Sequence, residues 1–392
     1  MSLLCFFVTL SILIMFVVLV TNACTAPRAT VRGAFGGLTL DFLPSKNFVA
    51  NLPYTSTLPL VSICIPARNE IRNIEQCIEA AFNSNYPNFE VVVADDSSTD
   101  GTLELLCELA KKFPFQFISA PPLPTDWLGK PHACHELSKI AQGDILLFID
   151  ADVSLAASGV DWLVKTFKKE QVGVVTAFPS QLCGCFAETI AVPMMDFLVY
   201  TLVPITTANK LQHPALTAAT GQFFAFTRKA YEQIGGHLTV KSEILEDMAL
   251  ARHAKKVGVA TLLANGTQIA TARMYRSTQE VIDGFAKHLF VGFGRATLPY
   301  IFILSIFSLL FIIPFVLAPF YSIWIIPLIL GWFLRLAHAA LFRHSLLTAI
   351  FAWPLSATTV LVLGIISWYR TSKNKLIWRD RSVSTRQYDR IT

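Results

Sequence analysis

The sequence predicts an α/β domain with a mostly parallel sheet, held between membrane segments. Three observations predict it. Short apolar runs alternate with helical patterns from Val61 to Pro179. Acidic residues recur where those runs end, at Asp95-Asp96 and at Asp150 and Asp152. Long uncharged stretches flank this region, in a chain of 392 residues that is 53% apolar and only 15% charged.

The elements follow in order. Leu3 to Val20 carries no charge over eighteen residues, long enough to span a bilayer. A cleaved signal peptide is the rival reading, but Met1-Ser2 lacks the basic start such peptides carry. Residues 1–22 are therefore expected to be an anchor, and Arg28 and Arg32 behind it place the following segment in the cytoplasm. Residues 23–58 are expected to be a linker, since Gly33 to Leu60 is rich in Gly, Pro, Ser and Thr.

Residues 59–296 form the expected domain. "VSICIPARNE" (Val61–Glu70) is a strand ending at Pro66, and "IEQCIEAAF" a helix with Ile74, Ile78 and Ala81 on one face. "FEVVVADDSSTDGT" (Phe89–Thr102) is a second strand, followed by the helix "LELLCELAKKF". "FQFISA" is a third strand, and "HACHELSKIAQG" a helix with Gly143 as its stop. "DILLFIDADV" (Asp144–Val153) and "VGVVTAFP" (Val172–Pro179) are the fourth and fifth strands. Strands apolar on both faces and separated by helices imply a sheet covered on both sides. Ligands in such sheets bind outside the carboxyl ends of the strands, where Arg68-Asn69-Glu70 and the acids fall.

Residues 297–369 are expected to hold about three further spans. No charge appears from Pro299 to Leu334, enough for two spans with a turn near Pro319-Phe320, and Ser345 to Tyr369 gives a third. Arg335 and Arg343 between them are expected to snorkel to the membrane edge. The tail, 370–392, holds seven Arg or Lys against two Asp and belongs in the cytoplasm. One span before the domain and three after it would put that tail outside, so one apolar segment is expected to be re-entrant or interfacial.

The net charge of +5 suits apposition to anionic lipid and is too diffuse for nucleic acid. The eight cysteines show no paired metal-type spacing, Cys183 and Cys185 being the nearest pair. No G-x-G-x-x-G follows the first strand and no P-loop is present, which argues against a dinucleotide fold and a nucleotide triphosphatase. Residues i and i+2 of an extended chain face one side, so Asp150 and Asp152 are expected to meet one ligand together. Two hard oxygen donors at a strand end suit Mg²⁺ or Mn²⁺.

The motifs "PARNE", "VVVADDSSTDGT", "WLGKPHAC", "FIDADV", "TGQFFAFTR" and "EILEDMALAR", in that order, resemble the inverting family 2 glycosyltransferases of the GT-A fold. The likeness covers roughly Val61 to Arg276 and is greatest to membrane-anchored enzymes that glycosylate lipids, such as ceramide glucosyltransferases and the hopanoid- and carotenoid-associated enzymes. It implies that Asp96 binds the uracil edge of a UDP-sugar, that Pro66 and Glu70 line the nucleotide, and that Lys130 meets the diphosphate. It implies that Asp150 touches the ribose or the metal and that Asp152 coordinates Mn²⁺ or Mg²⁺. In the Glu246-Asp247 pair, Asp247 would be the general base, giving a β-glycoside from an α-linked donor in one displacement. Carboxylates at a helix start also stabilise the helix dipole, the structural alternative for this pair.

The stretch Thr220–His237, with Glu246, would form the acceptor side of the pocket. Gly221 allows close passage of the chain, Gln222 is polar, and Phe223, Phe224 and Phe226 bed a lipid or simply pack the core. His237 receives no catalytic role. A family end motif is partial: "RMYRS" gives Arg273 and Arg276, either of which would pair with the diphosphate or else form a surface salt bridge, with Ser277 where processive synthases carry Trp. Transfer of a single hexose, glucose first, to a lipid hydroxyl at the cytoplasmic face is therefore expected. The alternatives are a processive polysaccharide synthase and a non-catalytic membrane module with a degenerate transferase domain. Ser277–Arg295, with Val281, Phe285, Leu289 and Phe293 on one face, is expected at the membrane interface or in the core. Glu188–Ile205 is expected to lie on the membrane surface.

Overall fold

The computed structural model describes residues 2–27, 58–373, 375–378 and 381–382. Nearly all of the expected linker and basic tail, with Arg28 and Arg32, lies outside the described residues. The chain divides into two units. One comprises Ala26–Ser180 and Ile205–Arg273, the other Met1–Thr25, Gln181–Pro204 and Met274–Thr392. The division falls at Arg273 rather than at 296, and Gln181–Pro204 belongs to the second unit.

The first unit is a sheet between helices. Its strands are β1 (Val61–Ala67), β2 (Phe89–Asp95), β3 (Gln116–Ser119), β4 (Ile145–Phe148), β5 (Val153–Leu155), β6 (Val174–Gln181), β7 (Phe224–Thr227) and β8 (Thr261–Ala272). Their order across the sheet is β3-β2-β1-β4-β7-β6-β8-β5. Strands β3, β2, β1 and β4 run parallel. β7 is antiparallel to both β4 and β6, and β5 is antiparallel to β8. In register, Ala67 lies opposite Asp95 and Asp95 opposite Ser119, so β1, β2 and β3 end together, while β4 ends at Phe148 opposite Cys64. Apolar side chains fill both faces, Val61, Ile63 and Ile65 on one and Cys64, Val92 and Leu146 on the other.

The helix Ile74–Phe82 buries Ile74, Cys77, Ile78 and Ala81, the stripe its spacing predicts. Helix Gly129–Ile140 starts a turn earlier than the apolar pattern suggests, with Pro131 in its first turn, which places Lys130 at its head. It ends before Gly143. That glycine serves close packing instead, because a Cβ there would lie 2.6 Å from the backbone nitrogen of Ser62.

The expected fourth strand breaks in two. Ile149 N donates to the Cys64 carbonyl at 3.1 Å, after which the chain turns, and Val153 N donates back to the Asp150 carbonyl at 3.0 Å. β5 then pairs with β8, more than a hundred residues away in sequence. Asp150 and Asp152 therefore flank a turn, and the alternation argument for an extended chain does not apply to them.

The second unit is helical. Ser2–Thr25 and Ser322–Phe342 are the two unbent helices long and apolar enough to cross a membrane among the described residues. Thr278–Gly292 and Thr297–Phe311 qualify only as a pair bent by 113°. The expected third span forms two helices instead, Leu346–Phe351 and Trp353–Ser372, the second beginning beside Pro354.

Buried polar groups tie this unit together. Asn22 donates to the carbonyls of Tyr200 and Val203, at 2.9 and 2.7 Å. The Glu188 carboxylate caps its own helix, accepting from Gly184 N at 2.7 Å and Cys185 N at 2.5 Å. Arg335 does not snorkel: it is 1% exposed and bonds to His338 at 3.1 Å. His344 meets Asp196 at 3.2 Å. Only Arg343 lies at the surface, at the helix's left-handed end. The stripe on Thr278–Gly292 is core: Val281 and Phe285 pack with Tyr275, Ala191, Val192 and Leu363. Phe293, just past the helix end, is 38% exposed. All eight cysteines are free.

Candidate active site

A cleft opens in the sheet unit, lined by Pro66 of β1, Lys130 and Cys134 of one helix, Phe148 at the end of β4 with Ile149 and Asp150 after it, Gly221, Phe224, His237 and Glu246. Its charged centre gathers distant parts of the chain. Lys130 Nζ lies 2.6 Å from Asp150 Oδ1 and 2.9 Å from Glu246 Oε1. Glu246 and Asp247 form the first turn of helix Glu246–Lys256, where the dipole favours anions. Asp247 accepts from two backbone amides, Gly221 N and Met248 N, each at 2.7 Å. Gly221 is the close-approach position, because a Cβ there would lie 2.6 Å from Lys130 Nζ.

The electrostatics follow from this crowding. Burial, then the neighbouring Glu246, pushes the Asp247 carboxyl up to about 6 against the pull of Lys130 and the two amides. Lys130 is held well above its usual range: burial opposes its charge, but Asp150, Glu246 and Asp247 outweigh it. The Cys134 thiol is pushed well up by burial, which makes it a wall and not a nucleophile.

The other expected residues are placed unevenly. Asp96 is buried at the end of β2, its N–H donating to the Ala67 carbonyl, and Arg68 donates to the Asp96 and Ser97 carbonyls. Neighbouring Asp95 accepts from Ser98 N at 3.2 Å and keeps its buried Oδ1 without a hydrogen bond. Glu70 accepts from Asn73 at 2.8 Å, and its own N–H goes to Thr102. Asp152 is not among the lining residues of the cleft; its carbonyl accepts from Arg273 N at 3.2 Å. Glu70, Asp150 and Asp152 all act on the buried Cys77 thiol, which burial first and then these acids push well up.

Gln222 is buried behind the turn at Thr220, with its N–H on the Thr220 hydroxyl. Phe223 is fully buried in the core against Trp162, so it offers no surface to an acceptor. Phe226 is likewise core, and Phe224 alone of the three lines the cleft. Arg276 falls in the helical unit, exposed, its N–H donating to Glu280. Cys134 lines the cleft without having been expected there, and His237, the end of the stretch expected on the acceptor side, lines it as well. The glycine pair before His237 was the available signal: both glycines adopt positive φ, 73° and 54°, and so turn the chain back toward the strand ends.

Metal fit rests on the donor set. Among the described residues no three His, Cys, Asp or Glu side chains gather to hold an ion by themselves. Asp150 reaches the cleft and already faces one positive charge, the Lys130 ammonium. Its hard oxygens suit a cation that takes few protein ligands and completes its shell from phosphate and water.

Fold and cleft thus define a class: a ligand-binding α/β domain with acids at its strand ends. Residues 62–235 match Glycosyl transferase family 2, the family that the motifs resemble. The 4,4'-diaponeurosporenoate glycosyltransferase of Staphylococcus haemolyticus is 26% identical over 64% of this chain and 66% of its own length. That of Staphylococcus aureus is 26% identical over 60% of this chain and 62% of its own. The chain thus spans less than two thirds of these curated relatives. Among solved structures, the mannosyltransferase PcManGT from Pyrobaculum calidifontis, in complex with GDP-Man and Mn²⁺, is 21% identical, with a TM-score of 0.48 over 80% of this chain and 87% of that one. Glucosyl-3-phosphoglycerate synthase from Mycobacterium tuberculosis, with Mn²⁺ and UDP, is 20% identical, with a TM-score of 0.39 over 58% and 78%.

Proposed function

We propose that the protein is a membrane-bound glycosyltransferase that moves one hexose from a UDP-sugar to a lipid acceptor at the cytoplasmic face, with inversion. The observation that carries this is the meeting of Lys130, Asp150 and Glu246 in one cleft beyond the strand ends, with Asp247 next in the chain to Glu246 and bonded to the N–H of the lining residue Gly221. Pro66 and Asp96 would hold the nucleotide, and Lys130 would turn from its carboxylates to the diphosphate. Asp150 with Asp152 would hold a Mn²⁺ or Mg²⁺ ion, which supplies charge neutralisation of the leaving diphosphate. Asp247, held by two amides and ionised above about pH 6, accepts the acceptor's proton as that oxygen attacks the anomeric carbon. The apolar helices support a lipid acceptor, since they suit a membrane by length and composition.

A second acceptor reading has its own support. The curated relatives are named for diaponeurosporenoate, by its name a carboxylate. A carboxylate arrives without a proton, so Asp247 would then position the acceptor and not deprotonate it. Purified full-length protein, assayed for UDP release with apolar alcohols and apolar carboxylic acids, tests both readings. UDP release dependent on neither would sink the assignment, and products longer than one sugar would favour the processive alternative.

A further inference from the structure

We infer that His237 is a substrate-contacting residue of the cleft, whose ring Nε2 meets a hydroxyl of the donor sugar. The inference rests on the donor reading above. His237 lines the cleft beside Lys130, Asp150 and Glu246, yet its side chain is almost wholly enclosed, at 2% exposure.

The ring is fixed from three sides. The Tyr231 hydroxyl lies 2.8 Å from Nδ1 and also accepts the His237 backbone N–H at 3.1 Å. Phe148 packs edge-on against the ring with centroids 4.7 Å apart. The glycines at 235 and 236 set the backbone, and a Cβ on Gly236 would lie 2.4 Å from the Tyr231 ring. Most buried side-chain polar atoms have a hydrogen-bond partner in the protein or in water. Here Nδ1 is spent on Tyr231, and Nε2 has no hydrogen bond among the described residues. It is therefore the polar atom that the ring leaves to the cleft.

The ligand chemistry follows from the charge. Burial, then the nearby Lys130 and His135, lowers the imidazole to about 3, so the ring stays neutral at any physiological pH. Ser138, whose hydroxyl proton goes to the His135 carbonyl at 2.7 Å, also acts on the Tyr231 hydroxyl. Either ring tautomer is thus accommodated, and Nε2 is a donor in one and an acceptor in the other. A diphosphate oxygen only accepts, and Lys130 is there to meet it. A sugar hydroxyl both donates and accepts, and so pairs with either tautomer.

The test uses full-length protein in detergent and calorimetric affinities. The probes are UDP-glucose or UDP-galactose, whichever binds tighter, and its four monodeoxy analogues. In the wild type, one analogue binds about tenfold more weakly than its parent, the value of one uncharged hydrogen bond. His237→Phe weakens the parent by the same factor and erases the penalty for that analogue alone. His237→Gln, which keeps a donor and an acceptor, restores part of it. Tyr231→Phe, which frees the ring, gives an intermediate penalty. An unchanged analogue pattern in His237→Phe overturns the inference while leaving the donor reading standing. Should that variant fail to fold, an unchanged pattern in both His237→Gln and Tyr231→Phe overturns it equally. A folded wild type that binds no UDP-sugar overturns the donor reading and this inference with it.

Discussion

Each unit encloses a cluster of charged and polar side chains, and the two clusters are built differently. In the sheet unit, Lys130 shares itself between Asp150 and Glu246 beside Asp247, and the group faces a cleft. In the helical unit, Arg335 bonds to His338 and His344 to Asp196, with all four at 5% side-chain exposure or less. The first cluster concentrates negative charge around one cation where a ligand can enter. The second pairs its ionisable groups with one another between packed helices and leaves Arg335 Nε and His338 Nε2 buried without a hydrogen bond. Access, not charge content, separates a candidate reactive centre from a structural fastening.

The sharpest way to break this comparison is Asp247→Asn. With a hydroxyl acceptor, turnover should fall about 10²–10⁴-fold, the range of general-base contributions. With a carboxylate acceptor the loss should stay within about tenfold, so the ratio of the two identifies the acceptor class. Gly221→Ala should come next. The new methyl group displaces Lys130 from its two acids, and UDP-sugar affinity should drop about tenfold while the melting temperature holds.

The pH profile is a gentler probe. Asp247 must be ionised to accept a proton, so turnover on a hydroxyl acceptor should be flat above about pH 6 and fall tenfold per unit below it. Lys130 lowers that midpoint, so Lys130→Met should move it upward. A midpoint that moved downward would contradict the assigned geometry. The smallest effect belongs to the sealed cluster. Asp196→Asn should cost about 1 kcal/mol in thermal unfolding, typical of polar contacts between apolar helices, and leave UDP-sugar affinity unchanged.

Much of the first cluster was legible because its residues sit in local patterns. Strands β1 and β2 and their trailing acids follow from short apolar runs, and Glu246-Asp247 from a helix start. What was not legible depends on pairing at long range. β5 leaves the line of β4 because β8 claims it, which no local pattern announces, and Asp152 then falls in the turn between them, outside the residues that line the cleft. Phe223 and Phe224 are adjacent in sequence, yet strand alternation sends one to the core and the other to the cleft. Arg335 could be read as a snorkelling side chain because its partner His338 is visible only once the surrounding helices are packed.

The sheet unit is drawn from two separate stretches of chain, interrupted by Gln181–Pro204. Trimming the termini alone cannot therefore isolate the sheet unit: a cut before residue 26 and after 273 still carries the apolar helices of the insert without the rest of the unit they belong to. Crystallisation-grade material would require splicing Ser180 to Ile205 through a short hydrophilic bridge.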